Sequence, residues 1–366
     1  MTELTPRRRL LSLDAYRGIT MFLLIAESAM LYAALLDYFP EDTLGYQLAL
    51  QFHHHPWNGL RFWDLIQPFF MFIVGVAMPF SFTKRLNRGD SYASIRGHIL
   101  RRCLLLFLFG VGLHCVYAHK LVWELWNVLT QLSFTILVTF LILRWPRWSQ
   151  LAISLGFLVL TEALYRMYLP EAPYIQEGNF GDWMDRLLMG KTNSGDWVAI
   201  NILPTAAHTI WGAMCGWLLF SDRSDRQKVR WLLLAAGAAF VLGYGLDWLG
   251  ITPIVKRIAT SSFTLASGGW CLLALAFLYW LVDMKDFRRW PTTFVIVGMN
   301  PIFIYLFTQT VGHQWFVDLV HIFNDGILGV LGLSQPFLDI SNGIFTLTLF
   351  WYICYWLYQH RIFIKI

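Results

Sequence analysis

Apolar runs of about the length of a bilayer crossing recur along this chain, and nothing else constrains its fold as much. They lie at about 18–38, 62–83, 99–118, 121–143, 149–168, 197–220, 230–248, 262–283, 292–311 and 341–359. Each is near the roughly 20 residues a helix needs to cross the hydrocarbon core. Lipid offers no hydrogen bonds to an open backbone, so such segments fold as helices. The composition agrees: 57% of the 366 residues are hydrophobic and 14% charged, against about a quarter charged in soluble domains, and mean hydropathy is +0.51. The expectation is an all-α integral membrane protein, a bundle of about ten transmembrane helices forming a single domain over residues 1–366. A shorter stretch, Phe316 to Leu333, is broken by Asn324-Asp325-Gly326. It reads as an interfacial or re-entrant element within an outer loop over 313–340.

Basic residues set the orientation. With the N-terminus inside and the runs alternating, only Arg61, Lys120, Arg166, Arg186, Lys191, Lys256 and Arg257 fall outside, 7 of the 28 Lys and Arg. That asymmetry predicts both termini in the cytoplasm, with residues 1–13 a cytoplasmic segment leading into a retained first span and no cleavable signal pattern. The cations sit in short clusters rather than one patch, which argues against a nucleic-acid partner. The five cysteines are scattered within apolar runs and read as packed thiols. No phosphate-binding loop, dinucleotide fingerprint or serine-hydrolase elbow is present. A polar loop over 169–196 lies outside, and loops of that length are usually functional or disordered.

The chemistry-bearing groups cluster in "QFHHHPWNGLRFWDLIQPFFMFIVG", Gln51 to Gly75. Consecutive side chains diverge, so His53, His54 and His55 do not share one metal ion, and no metal is expected. As a solvated turn ending at Pro56 they need no function. As a base, an imidazole of ordinary pKa near 6.5 takes a proton at neutral pH. Counted as helix from Trp57, Asp64 falls about two turns into the second span, where an ionised carboxylate near the bilayer centre costs roughly 3 kcal/mol or more. It is expected to face the interior, paired with His54 or Arg61, as a working group or as a structural lock. Glu27, Ser28 and Asn300 (in "GMNPIF") should face the interior for the same reason. His114, Gln131, Asn201 and His208 are weaker candidates. For a phosphate-bearing ligand the best cations are Arg101, Arg102, Lys84 and Arg85, with Arg17 beside Asp14; plain anchoring at the membrane surface is the stronger explanation of them.

The segments "SLDAYRG", "HPWNGLRFWDLIQPFFMFIVGVAMPFS", "GMNPIFIYL", "IVKRIATSSFTLASGGWCLLALAFLYWLVD" and "YQHRIFIKI" resemble, in order, the transmembrane acetyltransferases of the heparan-alpha-glucosaminide N-acetyltransferase type and their shorter bacterial relatives. The resemblance implies transfer of an acetyl group from cytosolic acetyl-CoA to the amine of glucosamine, or of a terminal glucosamine, on the far side of the membrane. The family's histidine stands three residues before Trp-Asn-Gly, which here is His54, with His53 and His55 one step away. Where the family has an asparagine in the first span this chain has Ser28 beside Glu27. Gln131 is followed by Leu132 rather than an arginine, and the usual acidic-glycine pair before Leu203-Pro204 is missing. Lysosomal members also carry a lumenal domain and an extra first helix not seen here, so the expected location is the inner membrane of a bacterium, crossed many times.

On that resemblance His54 accepts the amine proton, Asp64 orients it, and Asn58 or the Trp57 indole donates to the developing oxyanion. Trp57, His55, Ser28, Glu27 and Asn300 are the expected acceptor contacts. Arg101, Arg102, Lys84 and Arg17 are the expected coenzyme contacts, acetyl-CoA being a co-substrate. Assembly as a homodimer is compatible with the sequence. Two other readings fit the same residues: a sugar or proton-coupled transporter, since intramembrane acids and broken helices also build a transport path, and an O-acyltransferase acting on a surface glycan.

Overall fold

The computed structural model describes residues 10–288, 290–364 and 366. Arg7, Arg8, Arg9, Arg289 and Lys365, which enter the charge count above, lie outside the described residues. Among the described residues the chain is helical without a β-strand, and an isolated antiparallel bridge joins Asn58 to Val255.

The helices follow the apolar runs. α1 (Leu11–Ser28) leads to α2 (Leu31–Tyr38) and α3 (Leu44–Leu50). A 3-10 turn, Phe62–Leu65, opens α4 (Ile66–Asn87), followed by α5 (Tyr92–Tyr117), α6 (Val128–Ile142) and α7 (Arg147–Tyr168). The polar 169–196 loop carries α8 (Phe180–Met189), ahead of α9 (Ile202–Phe220) and α10 (Asp225–Trp248). α11 (Ser261–Leu278) ends in a π-helical turn, Tyr279–Met284; α12 (Thr292–Gly298), α13 (Pro301–Phe307), a π-helical stretch Thr308–Phe316, α14 (Val317–Leu328) and α15 (Gln335–Gln359) complete the chain.

Six of these are long and apolar enough to cross a membrane: Phe62–Asn87, α5, α7, α10, Ser261–Met284 and α15. Two bent pairs raise the number to eight if each counts as one span: α1 with α2, at 65°, and Thr292–Gly298 with Pro301–Leu331, at 75°. The run at 121–143 yields only the 15-residue α6, and that at 197–220 yields α9 behind a 3-10 turn, Ala199–Asn201. Neither qualifies alone, so ten spans do not follow from helix length and apolarity.

The bends have local causes. Met30 is left-handed, with φ 61°, which breaks the first pair. Asn300 leaves the helical region, with φ −123° and ψ 51°, ahead of Pro301, whose ring disfavours helix in the preceding residue. This moves the expected interruption. Asn324-Asp325 does not break the chain: Asn324 donates to Ser341 Oγ and Asn342 Oδ1, both at 2.7 Å, and Asn342 donates to Asp325 Oδ1 at 2.8 Å. The polar triplet is satisfied against α15, and helix continues through it.

α4 and α9 form the packed centre, and small residues let them approach. A Cβ built on Gly75 would collide with the Thr209 carbonyl; one on Gly212 would meet the Phe72 carbonyl, and one on Gly216 the Val76 carbonyl. Close backbone approach through small residues is what holds helices together where lipid supplies no hydrophobic drive. Gly212→Val is therefore expected to destabilise the protein by about 2 kcal/mol or more, read as a lower thermal midpoint in detergent. The outer helices present apolar side chains outward: Leu104 and Leu108 on α5, Val159 on α7, Val241 and Leu242 on α10.

Both described ends meet at one end of the bundle. The N–H groups of Leu11 and Ser12 donate to Asp283 at 3.3 and 3.2 Å. Arg17, Lys84 and Ile366 line one cavity there. The other end carries His53–His55, the 169–196 segment and the loop before α11.

Candidate active site

Asp64 organises the site. It sits in the 3-10 turn that opens α4, not two turns inside the span, and its side chain is 1% exposed. Its Oδ2 accepts the backbone N–H of Arg61 at 2.9 Å and of His55 at 3.2 Å, so the carboxylate caps the turn and pins the histidine segment. Oδ1 lies 2.9 Å from His54 Nδ1. The Arg61 guanidinium donates to the His54 carbonyl at 2.9 Å. Behind this, Gly59, with φ 148°, leaves no room for a side chain beside the His55 ring. Its N–H donates to the Ile254 carbonyl at 2.8 Å, tying the Trp-Asn-Gly segment to the loop before α11.

That loop supplies a third partner. Thr260 Oγ1 donates to the Pro253 carbonyl at 2.7 Å and accepts from the Val255 N–H at 3.0 Å, folding the loop so that Lys256 points back to the site. Lys256 Nζ stands 3.1 Å from His54 Nδ1 and 3.5 Å from Asp64 Oδ1. A carboxylate only accepts and an ammonium only donates. Nδ1 therefore either donates to Asp64, leaving Nε2 as a lone-pair base, or accepts from Lys256, leaving Nε2 as a donor. Nε2 bonds to no described residue. The His54 side chain is 39% exposed while Asp64 and Lys256 are 1% and 7% exposed, so the open part of the ring is the part turned away from them.

The electrostatics favour an uncharged imidazole. Burial first, then the Lys256 charge, push the His54 pKa down to about 4, against the opposing pull of Asp64. Burial brings Lys256 down to about 8, with Asp64 resisting. At neutral pH the cluster is a neutral imidazole between a carboxylate and an ammonium. Trp197 covers it: its ring is 5.4 Å from that of His54, edge to face, with Lys256 Nζ at 5.3 Å. Arg257 reaches over the same indole and pairs with Asp196 at 3.1 Å. A ladder of amides runs beneath: Gln67 to Gln131, Gln131 to Asn201 at 2.8 Å, and Asn201 to the Arg257 carbonyl at 3.4 Å.

Other expected residues fall differently. Asn58 is exposed and held by its backbone. The Trp57 indole donates to the Tyr174 carbonyl at 3.0 Å, so it is engaged and not an oxyanion donor, and Trp63 is 4% exposed within the core. His55 keeps Nδ1 buried without a partner. Glu27 is exposed at the end of α1 and near enough to Lys256 for their charges to interact, while Ser28 is buried and accepts from Gln309 at 3.2 Å. Asn300 is taken out of the acceptor set: its amide donates to the Ile362 carbonyl at 2.9 Å and accepts from the Ile364 N–H at 2.8 Å. Both ends of the side chain are spent holding the C-terminal segment.

At the opposite end a cavity of about 700 Å³ is lined by Arg17, Lys84, Arg85 and Arg102, with Met21, Phe70 and Tyr305 deeper in. Arg101 is exposed and does not line it; Arg85 does. The Arg102 Nε is buried with no partner. The volume falls in the range of small-molecule sites. On α4 the cavity runs from Arg85 to Phe70, and at 1.5 Å per residue its deep end is about 9 Å along the axis from Asp64.

The catalytic family described as heparan-alpha-glucosaminide N-acetyltransferase matches residues 9–251. The chain belongs to this family. It is similar to heparan-alpha-glucosaminide N-acetyltransferase of Mus musculus, 24% identical over 383 residues, covering 86% of this chain and 54% of the relative. It is likewise similar to that of Homo sapiens, 25% identical over 389 residues with the same coverage. The chain thus spans about half the length of these relatives. As a member of the heparan-alpha-glucosaminide N-acetyltransferase family it carries His54, Asp64 and the Trp-Asn-Gly segment inside the matched region. Lys256 lies beyond it. Sequence reasoning missed Lys256, Arg257 and Trp197. Their signal was the charge count: two adjacent cations on the side poor in cations need a local reason to be there.

Proposed function

We propose that this chain is a transmembrane N-acetyltransferase that moves acetyl from acetyl-CoA to the amine of glucosamine or a terminal glucosamine. The observation that carries the reading is the His54 imidazole, neutral at pH 7 and held at 2.9 Å by Asp64, with Nε2 unengaged. The basic cavity at the other end supports entry of the coenzyme from the cytoplasm, with its phosphates on Arg102, Lys84 and Arg17 and its thioester at the deep end. In this reading the eight spans are joined by α6 and α9 to make ten, and both termini are cytoplasmic, in the inner membrane of a bacterium.

The chemistry balances simply. The acceptor nitrogen attacks the thioester carbonyl as His54 Nε2 takes its proton. The tetrahedral intermediate then collapses, breaking the C–S bond, and the departing thiolate takes the proton back. Asp64 fixes Nδ1 as the donor and stabilises the imidazolium. Glu27 faces an ammonium-bearing acceptor, and the exposed Asn58 amide is the candidate donor to the oxyanion.

The experiment is release of free thiol by the purified chain with acetyl-CoA and glucosamine. The bent helix pairs favour a transporter as second reading. Glucosamine uptake by proteoliposomes without acetyl-CoA, and without thiol release, would establish that one instead. A glycan hydroxyl acetylated where glucosamine is not would make the enzyme an O-acyltransferase. For the coenzyme end, Arg102→Lys keeps the charge but removes the buried Nε donor. One hydrogen bond is worth ~1 kcal/mol, so KM for acetyl-CoA is expected to rise about fivefold with kcat nearly unchanged.

A further inference from the structure

Apart from both sites, a groove of about 720 Å³ opens at the basic end between the start of α10 and the π-helical turn that ends α11. Arg226, Arg230 and Lys285 line its outer part, and Leu233, Leu234 and Trp280 its apolar wall. Arg226 and Arg230 are four apart and share one face of α10, while Lys285 comes from the other wall. Among the described residues neither guanidinium has a hydrogen-bond or ion-pair partner, and the Lys285 ammonium lies over the Trp280 ring at 5.9 Å. Among the described residues no carboxylate lines the groove. The acids nearby are engaged elsewhere: Asp225 with Lys228 at 3.6 Å and with Tyr279 at 2.6 Å, Asp286 with Arg288, and Asp283 with the start of α1.

The groove is graded along the membrane normal. Its cations sit in the first turns of α10 and just past the Ser261–Met284 span. Leu233 and Leu234 follow one turn deeper, exposed by 46% and 54%, on a helix that is apolar outward as far as Leu242. Trp231 and Trp280, both partly exposed, mark the water–lipid boundary, where tryptophan is enriched. Charge at the rim and an apolar wall below match a phospholipid and not a soluble anion. Three cations without a facing carboxylate match an anionic headgroup and not a zwitterionic one, whose ammonium would have no acceptor.

We propose that this groove is a binding site for one anionic phospholipid, its phosphate held by Arg226, Arg230 and Lys285 and its acyl chains lying along Leu233 and Leu234. Basic recesses between spanning helices are suited to such headgroups, each cation contributing ~1 kcal/mol near the surface, or about fivefold in affinity. The site is independent of the acetyltransferase reading.

The test uses the full chain in detergent, with retained lipid counted by native mass spectrometry and binding titrated with dioctanoyl phosphatidylglycerol. Saturable binding that weakens with salt is expected, about fivefold weaker in Arg230→Gln and abolished in Arg226→Gln/Arg230→Gln/Lys285→Gln, with dioctanoyl phosphatidylcholine not binding. Arg144→Gln, a cation outside the groove, should bind as the parent does. Three results would overturn the proposal: equal binding by the triple variant, equal binding of phosphatidylcholine, or full displacement by millimolar inorganic phosphate, which would make this a simple anion site. Should the triple variant not fold, Arg230→Gln carries the same comparison.

Discussion

Replacing His54 with alanine is expected to lower the rate of thiol release by about 10²–10⁴-fold, the usual contribution of a positioned general base. The acceptor nitrogen needs to lose a proton as it attacks, and the imidazole is the neutral group whose open edge faces away from the buried pair. Coenzyme binding should survive, since the basic cavity is built from Arg17, Lys84, Arg85 and Arg102 at the other end of the bundle. The prediction therefore separates kcat from affinity: turnover collapses while the acetyl-CoA isotherm stays. Full turnover in His54→Ala would remove the imidazole from the reaction. Loss of coenzyme binding together with turnover would mean that the substitution had disturbed the fold. Asp64→Asn is the companion measurement. An amide has one accepting oxygen where the carboxylate uses two, so it gives up either Nδ1 or the Arg61 and His55 N–H groups, and it no longer stabilises an imidazolium; its loss should fall in kcat too.

How much of this was readable in the sequence follows from sequence distance. His54 and Asp64 are ten residues apart, so one segment displayed both, and their pairing was among the expectations. Lys256 comes from 202 residues further along, and a local motif does not show which distant loop will fold against it. Asp64 was expected deeper because the apolar run was counted as helix from Trp57. In fact the chain stays extended through Arg61 (φ −107°, ψ 164°), and the carboxylate spends Oδ2 capping the turn. Asn300 was read as an interior amide in search of a ligand. Its partners proved to be backbone groups of the C-terminal segment, a pairing set by tertiary contact alone. Hydropathy located the helices well, and failed at Met30 and Asn300, where single backbone conformations, not apolarity, decide whether a run is one span or a bent pair.

Lys256→Gln should move the acidic limb of the pH–rate profile, and the sign follows from the charges around His54. In the parent, burial and the Lys256 ammonium hold the imidazole pKa down to about 4, so the base is present at every pH above that. Without the ammonium, one of the two main causes of the depression is gone, and only burial and the Arg257 charge still oppose the pull of Asp64 at 2.9 Å. An opposite charge at this distance favours the protonated ring by one to three pKa units. The limb should therefore move up, so that activity falls by more at pH 6 than at pH 8.5. The parent lysine itself gives up its proton near pH 8, which makes parent and variant converge above that pH. Lys256→Arg keeps the positive charge and should keep the limb low. A lysine that merely braced the loop would behave otherwise: its loss would lower activity by one factor at pH 6 and pH 8.5 alike, and arginine, with its different shape, would not restore the profile.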